Sequence, residues 1–98
     1  MGSKENRVEQ RLIDGVEALG GKTFKFVSPG LAGVPDRIVI LPGGDVHFVE
    51  LKAPGGSPSR IQLRRIAQLR RLDVTALVLT GTDEVEHYLD NLRELMNE

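Results

Sequence analysis

Asp36, Glu50 and Lys52 are charged residues set into otherwise apolar, strand-like stretches. Asp36 precedes Arg37-Ile38-Val39-Ile40-Leu41, while Glu50 and Lys52 close His47-Phe48-Val49-Glu50-Leu51-Lys52. Side chains alternate along a strand, so Glu50 and Lys52 project from the same face. Pro42-Gly43-Gly44-Asp45 reads as a tight hairpin turn between the two strands. A short hairpin sets the start of one strand beside the end of the next, which puts Asp36 next to Glu50 and Lys52. Two carboxylates converging on an apolar sheet repel unless a cation lies between them. Oxygen donors without sulfur or paired histidines select Mg²⁺ or Mn²⁺. Such a site can activate water and neutralise charge on a phosphoryl group, with a lysine beside it to orient the water or stabilise the transition state. The plain alternative is a Glu50–Lys52 surface pair with Asp36 as a turn residue.

These residues need elements to position them. Lys4 to Leu19 carries Val8, Leu12, Val16 and Leu19 at helical spacing, closed by Gly20-Gly21. Thr23 to Val27 alternates as a strand, and its phenylalanines, like Phe48, read as core. Ser28 to Pro35, with two glycines and two prolines, is a loop. Strands follow at Arg37 to Leu41 and Val46 to Lys52. Ala53-Pro54-Gly55-Gly56 breaks the chain before a helix from Ser57 or Ser59 to Leu72, with Ile61, Ile66 and Leu69 on its apolar side. Val74 to Thr80 is an apolar run that predicts a buried central strand. Thr82 is the expected N-cap of a last helix, Asp83 to Met96, buried through Val85, Leu89, Leu92 and Met96. The predicted class is α/β, in the order α-β-β-β-α-β-α, a mixed sheet flanked by helices.

The chain has 98 residues, 40% hydrophobic and 28% charged, enough for one domain (1–98) and one modest core. It has no cysteine, which excludes disulfides and thiolate metal sites. No apolar run approaches membrane-spanning length, so a soluble, intracellular protein with no membrane partner is expected. Net charge is only −1, but its distribution is polar. Five arginines and no acid lie between Ser57 and Arg71, whereas six acids stand against Arg93 alone from Thr82 onward. One face can therefore be basic. Arg60, nearest the site, is the first candidate phosphate contact, with Lys25, Arg37, Ser28 and Lys22 around the same mouth; Arg64 is a further candidate, and for Arg64 and Arg65 a place facing solvent or an interface is the alternative. Gly21-Lys22-Thr23 follows a helix and precedes a strand, the wrong order for a P-loop. His47 and His87 lack metal-ligand spacing and read as surface or rim residues, and the scarcity of aromatics argues against a base-stacking single-strand binder.

Val34-Pro35-Asp36 with Val49-Glu50-Leu51-Lys52 resembles the PD-(D/E)XK nuclease superfamily. More closely, Lys25-Phe26-Val27-Ser28-Pro29-Gly30, Gly33-Val34-Pro35-Asp36-Arg37-Ile38-Val39, Pro42-Gly43-Gly44, Phe48-Val49-Glu50-Leu51-Lys52-Ala53-Pro54-Gly55 and Gln62 together resemble the stand-alone VRR-NUC family. These are short domains carried by phages and bacteria, related to the nuclease module of FAN-type repair enzymes. The resemblance runs from the first helix to the last strand. It implies an αβββαβ restriction-endonuclease-like core with Asp36 and Glu50 as metal ligands and the Leu51 carbonyl completing the set. It implies Lys52 as the catalytic lysine, and Gln62 near the site, contacting DNA or the attacking water. It also implies a metal-bound acid from the first helix, for which Glu9 is the choice and Glu5 the alternative. Stand-alone members look like dimeric Holliday-junction or branched-DNA endonucleases. The expectation is therefore a Mg²⁺- or Mn²⁺-dependent homodimer cutting branched DNA, with no small-molecule organic cofactor. A symmetric dimer supplies two sites on opposite strands, as junction resolution requires. Flap- or fork-directed cleavage, or a catalytically silent DNA-binding module, are the rival readings. Whether the arginine helix or the acidic last helix forms the dimer surface is left open by the sequence.

Overall fold

The computed structural model describes residues 4–97; Met1-Gly2-Ser3 and Glu98 lie outside the described residues. The elements are α1 (Lys4–Ala18), β1 (Lys22–Lys25), β2 (Arg37–Leu41), β3 (Asp45–Lys52), α2 (Arg60–Arg71), β4 (Thr75–Thr80) and α3 (Gly81–Met96). The predicted order and class hold. The strands form one sheet in the order β1-β2-β3-β4. β1 pairs with β2 and β2 with β3 antiparallel, and β3 pairs with β4 parallel. A parallel neighbour cannot be reached by a hairpin, so α2 serves as the crossover between β3 and β4.

Alternation divides the sheet into two unlike faces. Val39, Leu41, Val49, Leu51 and Leu79 point to one side and meet Val8, Leu12 and Val16 of α1 with Val85, Leu89 and Leu92 of α3 in a single core. Those helices pack so closely that a methyl group on Gly15 would lie 2.2 Å from Leu89 Cδ1. Arg11 of α1 and Glu86 of α3 pair beside that contact. On the other face α2 packs against β4, with Ile66 its buried residue. Among the described residues no helix is long and apolar enough to cross a membrane.

Several local expectations need correction. The last strand is at the sheet edge rather than its centre; its apolar run reflects cover from α2 on one side and α3 on the other. The last helix begins at Gly81 with Thr80 as N-cap, not Thr82, and the Thr80 N–H donates to Glu84 Oε1 at 2.9 Å. Met96 is exposed at the end of α3. The phenylalanines are not core: Phe24 is 49% exposed, and Phe26 and Phe48 are half-buried, with ring centroids 5.7 Å apart. They occupy the sheet face that α2 covers only in part. His47 is buried rather than at the rim, its Nδ1 2.7 Å from the Tyr88 hydroxyl and its Nε2 3.1 Å from Asp45. Burial holds the Tyr88 phenol well above its ordinary range. His87 is exposed, as expected.

Candidate active site

The β2–β3 register pairs Arg37 with Val49. One residue outward, Asp36 and Glu50 therefore face each other at the open end of the hairpin, and Asp36 Oδ2 accepts a hydrogen bond from the Leu51 N–H at 3.0 Å. The Asp36 carbonyl in turn accepts from the Phe26 N–H at 2.7 Å, so the residue is held from β3 and from the segment after β1. Buried Pro35 precedes it and fixes the entry of the chain.

Glu50 is only 1% exposed. Its Oε2 is 3.1 Å from Lys52 Nζ and accepts from Gln62 Nε2 at 3.0 Å. Its Oε1 is buried and finds no hydrogen-bond partner among the described residues. Burial, followed by the charge of Asp36, pushes the Glu50 carboxyl up to about 7, against the opposing pull of Lys52. At neutral pH the group is thus poised between proton and charge, which is costly unless something occupies the bare oxygen.

Gln62 reaches Glu50 because of how α2 starts. Ser59 is the N-cap: its Oγ accepts from the Gln62 N–H at 3.2 Å, and its own N–H donates to Gln62 Oε1 at 2.9 Å. This capping box uses the amide oxygen and leaves the NH₂ to face Glu50. The signal was legible as Ser59-x-x-Gln62, although sequence reasoning offered Ser57 equally. The 28–35 loop is fastened to the same helix. Arg65 Nε donates to the Ala32 carbonyl at 2.9 Å, and Gly33, at φ +85°, sits where a Cβ would come within 2.9 Å of the Ile61 backbone. Sequence reasoning gave Arg65 to solvent or an interface; half-buried, it is instead the clasp of this loop.

The other predicted residues divide. Glu5, Glu9, Lys25, Asp36 and Leu51 line one cavity of about 190 Å³. Glu9 stands at that cavity, but its Oε2 is 3.4 Å from Arg37 Nη1. Arg37 is not available for phosphate. It is buried, donating from Nε to Thr23 Oγ1 and from Nη2 to the Thr23 carbonyl, both at 3.2 Å. One residue out of phase with Asp36, it points to the opposite face of the sheet. Arg60 and Arg64 are exposed on α2, Lys25 is exposed at the cavity, and Lys22 is engaged with Glu17 at 3.1 Å. Ser28 lines a separate apolar groove with Phe26, Pro35 and Phe48.

The donor set suits a hard divalent cation. Asp36 and the orphaned Glu50 Oε1 supply two oxygens, and the Leu51 carbonyl is the backbone oxygen between Glu50 and Lys52. Among the described residues no three acidic or histidine side chains are placed to hold a metal by themselves, so a backbone oxygen and water would have to complete the shell, as Mg²⁺ tolerates.

No family model matches the chain. A protein from Acyrthosiphon pisum secondary endosymbiont phage 1, named "Putative nuclease p44", is 48% identical over 80 residues, covering 82% of this chain and 86% of its own length. A solved structure described as "VRR_NUC domain" superposes with a TM-score of 0.86 at 33% identity, covering 91% of this chain and 97% of that one. A second, "VRR_NUC domain protein", shares the fold at a TM-score of 0.69 and 20% identity, covering 93% and 88% of the two chains. With its hairpin of Asp36, Glu50 and Lys52 in that fold, the chain belongs to the VRR-NUC family of nucleases.

Proposed function

We propose that this nuclease is a Mg²⁺- or Mn²⁺-dependent endonuclease that hydrolyses phosphodiesters in branched DNA, resolving four-way junctions as a homodimer of single-domain chains. The observation that carries the metal-dependent reading is the buried Glu50 carboxylate opposite Asp36 on the hairpin, one oxygen without a partner among the described residues and the other on Lys52 and Gln62. Asp36, Glu50 and the Leu51 carbonyl would hold the cation, with Glu9 or Glu5 acting at the same cavity. When bound, the cation supplies Lewis acidity to a phosphoryl oxygen and lowers the pKa of water. Lys52, held 3.1 Å from Glu50, orients the attacking water and donates to charge developing on the phosphate. Gln62 fixes the Glu50 carboxylate, so that its free oxygen keeps its direction as substrate enters. Arg60, Arg64 and Lys25 bind phosphates without reading sequence.

The branched substrate and the dimer go together. A chain of 98 residues has one such site and little surface to grip a branched duplex, while two copies about a two-fold axis present two sites to strands of opposite polarity. The test incubates the protein with labelled four-way junction, flap and plain duplex in Mg²⁺, Mn²⁺ or EDTA. Paired incisions in the junction with metal, and none in EDTA, are expected. Cleavage of flaps alone would move the substrate to forks, and no cleavage of any substrate would leave a silent DNA-binding module.

A further inference from the structure

We infer that the open sheet face beside α2 is the surface on which a second copy of this chain docks, an inference that rests on the homodimer reading above. The β1–β2–β3 register sets Phe24, Ile38 and Phe48 in one row across the sheet, with Lys22, Ile40 and Val46 in the next. The five apolar residues project on the side opposite the core of α1 and α3, and Lys22 beside them is engaged with Glu17. Helix α2 lies over β4, leaving a step above the other three strands. Phe26, Leu31, Pro35, Phe48, Leu69 and Leu72 line a groove of about 550 Å³ at the foot of that step, with Arg65 and Arg71 at its border. Phe24, Leu31, Ile40, Val46 and Leu72 remain 49%, 47%, 37%, 39% and 74% exposed.

Area and chemistry choose the occupant. Those five side chains leave on the order of 500 Å² of apolar surface open, near the upper end of what a monomer normally shows. A stable homodimer covers about 800 Å² per partner, roughly two-thirds of it apolar, so this face has the apolar area one half of such an interface needs. A nucleic acid suits it less well, because phosphates require free cations, whereas Lys22 in these rows is engaged with Glu17 and Arg65 at the groove is engaged with the Ala32 carbonyl. A copy of the same face is suited by construction, since an isologous interface pairs a patch with itself and two largely apolar sheet faces can interdigitate. The helical repeat supports this division of labour: Leu69 and Leu72 lie on the groove side of α2, whereas Arg60 and Arg64 fall on the other. Docking through the groove therefore leaves those arginines open to phosphate. The face is also continuous with the site, for Asp36 and Glu50 occupy the next row beyond Ile38 and Phe48 on the same side.

The test uses the whole chain. Sedimentation equilibrium is run on the native protein, on Phe24→Glu and Val46→Glu, and on Leu95→Glu, an exposed apolar position at the end of α3. Circular dichroism melts verify that each is folded. Because the chain has no cysteine, Val46→Cys and Leu95→Cys each report cross-linking through a single thiol, without the burden of a buried charge. The expected result is a native dimer, a dissociation constant raised by about 100-fold or more in both sheet variants, an unaltered Leu95→Glu dimer, and an oxidised covalent dimer from Val46→Cys alone. A native dimer that survives both sheet substitutions, or that cross-links through residue 95 instead, would overturn the assignment of the surface and leave the homodimer standing. A native protein that is monomeric at tens of micromolar would overturn both.

Discussion

Glu50 carries the sharpest consequence at the scale of single residues. Its carboxyl is raised to about 7 from an ordinary 4.5, so the folded chain keeps a proton that the unfolded chain has already released. The stabilisation linked to that proton is complete below pH 4.5 and is lost as pH rises through 7, about 3 kcal/mol at most. Urea melts of metal-free protein should show this loss between pH 5 and pH 8, and Glu50→Gln should abolish it while eliminating cleavage. Divalent-cation affinity should run the opposite way, rising with pH and levelling off above 7. Lys52→Ala should retain junction binding and lose cleavage by at least about 100-fold, measured under single-turnover conditions. Ser59 tests the orientation of Gln62. Its φ of −72° accepts proline; Ser59→Ala removes only the Oγ cap and should cost about 1 kcal/mol, whereas Ser59→Pro also removes the N–H holding the Gln62 amide and should slow cleavage further at similar stability. Asp36, Glu50 and Lys52 were legible because strand alternation and a short hairpin leave little freedom in where they meet. Arg37 was misjudged because its charge suggested solvent, although its phase with Val39 and Leu41 already pointed to the core side.

The elements explain why the site holds its shape. The 28–35 loop bears no regular structure, yet its grip on α2 through Gly33 and Arg65 ties the Asp36 strand to the Gln62 helix. Gly33→Ala asks for a methyl group at positive φ and against the Ile61 backbone, so it should lower the melting temperature and cleavage together, by roughly 1–3 kcal/mol in stability. Thermal melts alongside the junction assay measure both. Helical periodicity made α1, α2 and α3 readable, and the hairpin was readable from its Pro-Gly-Gly-Asp turn. The position of β4 was not. An apolar run reports cover on both faces, and an edge strand sandwiched between two helices has the same composition as a central one. The phenylalanines failed for the complementary reason: alternation assigns a side chain to a face but says nothing of whether that face is covered.

Over the whole molecule, a near-neutral chain is organised as opposing surfaces. The arginines of α2 stand on the sheet side that holds the site, and the acids of α3 lie across the core from them. Phosphate binding by α2 should therefore be strongly salt-dependent despite a net charge of −1. Arg60→Ala should reduce the slope of log affinity against log salt by about 1, in junction-binding titrations from low to moderate salt, while melting unchanged.

The close approach of α1 and α3 also says something about how the nuclease comes into being. The Arg11–Glu86 pair beside that contact joins residues 75 apart in sequence, so the core on that side closes only when α3 is available to α1. Asp36, Glu50 and Lys52 leave the ribosome well before that moment, on a sheet with half of its supporting face missing. A nascent chain that ends before the last helix is thus expected to carry its reactive groups on a sheet whose core side is still open, and to cut poorly until α3 closes it.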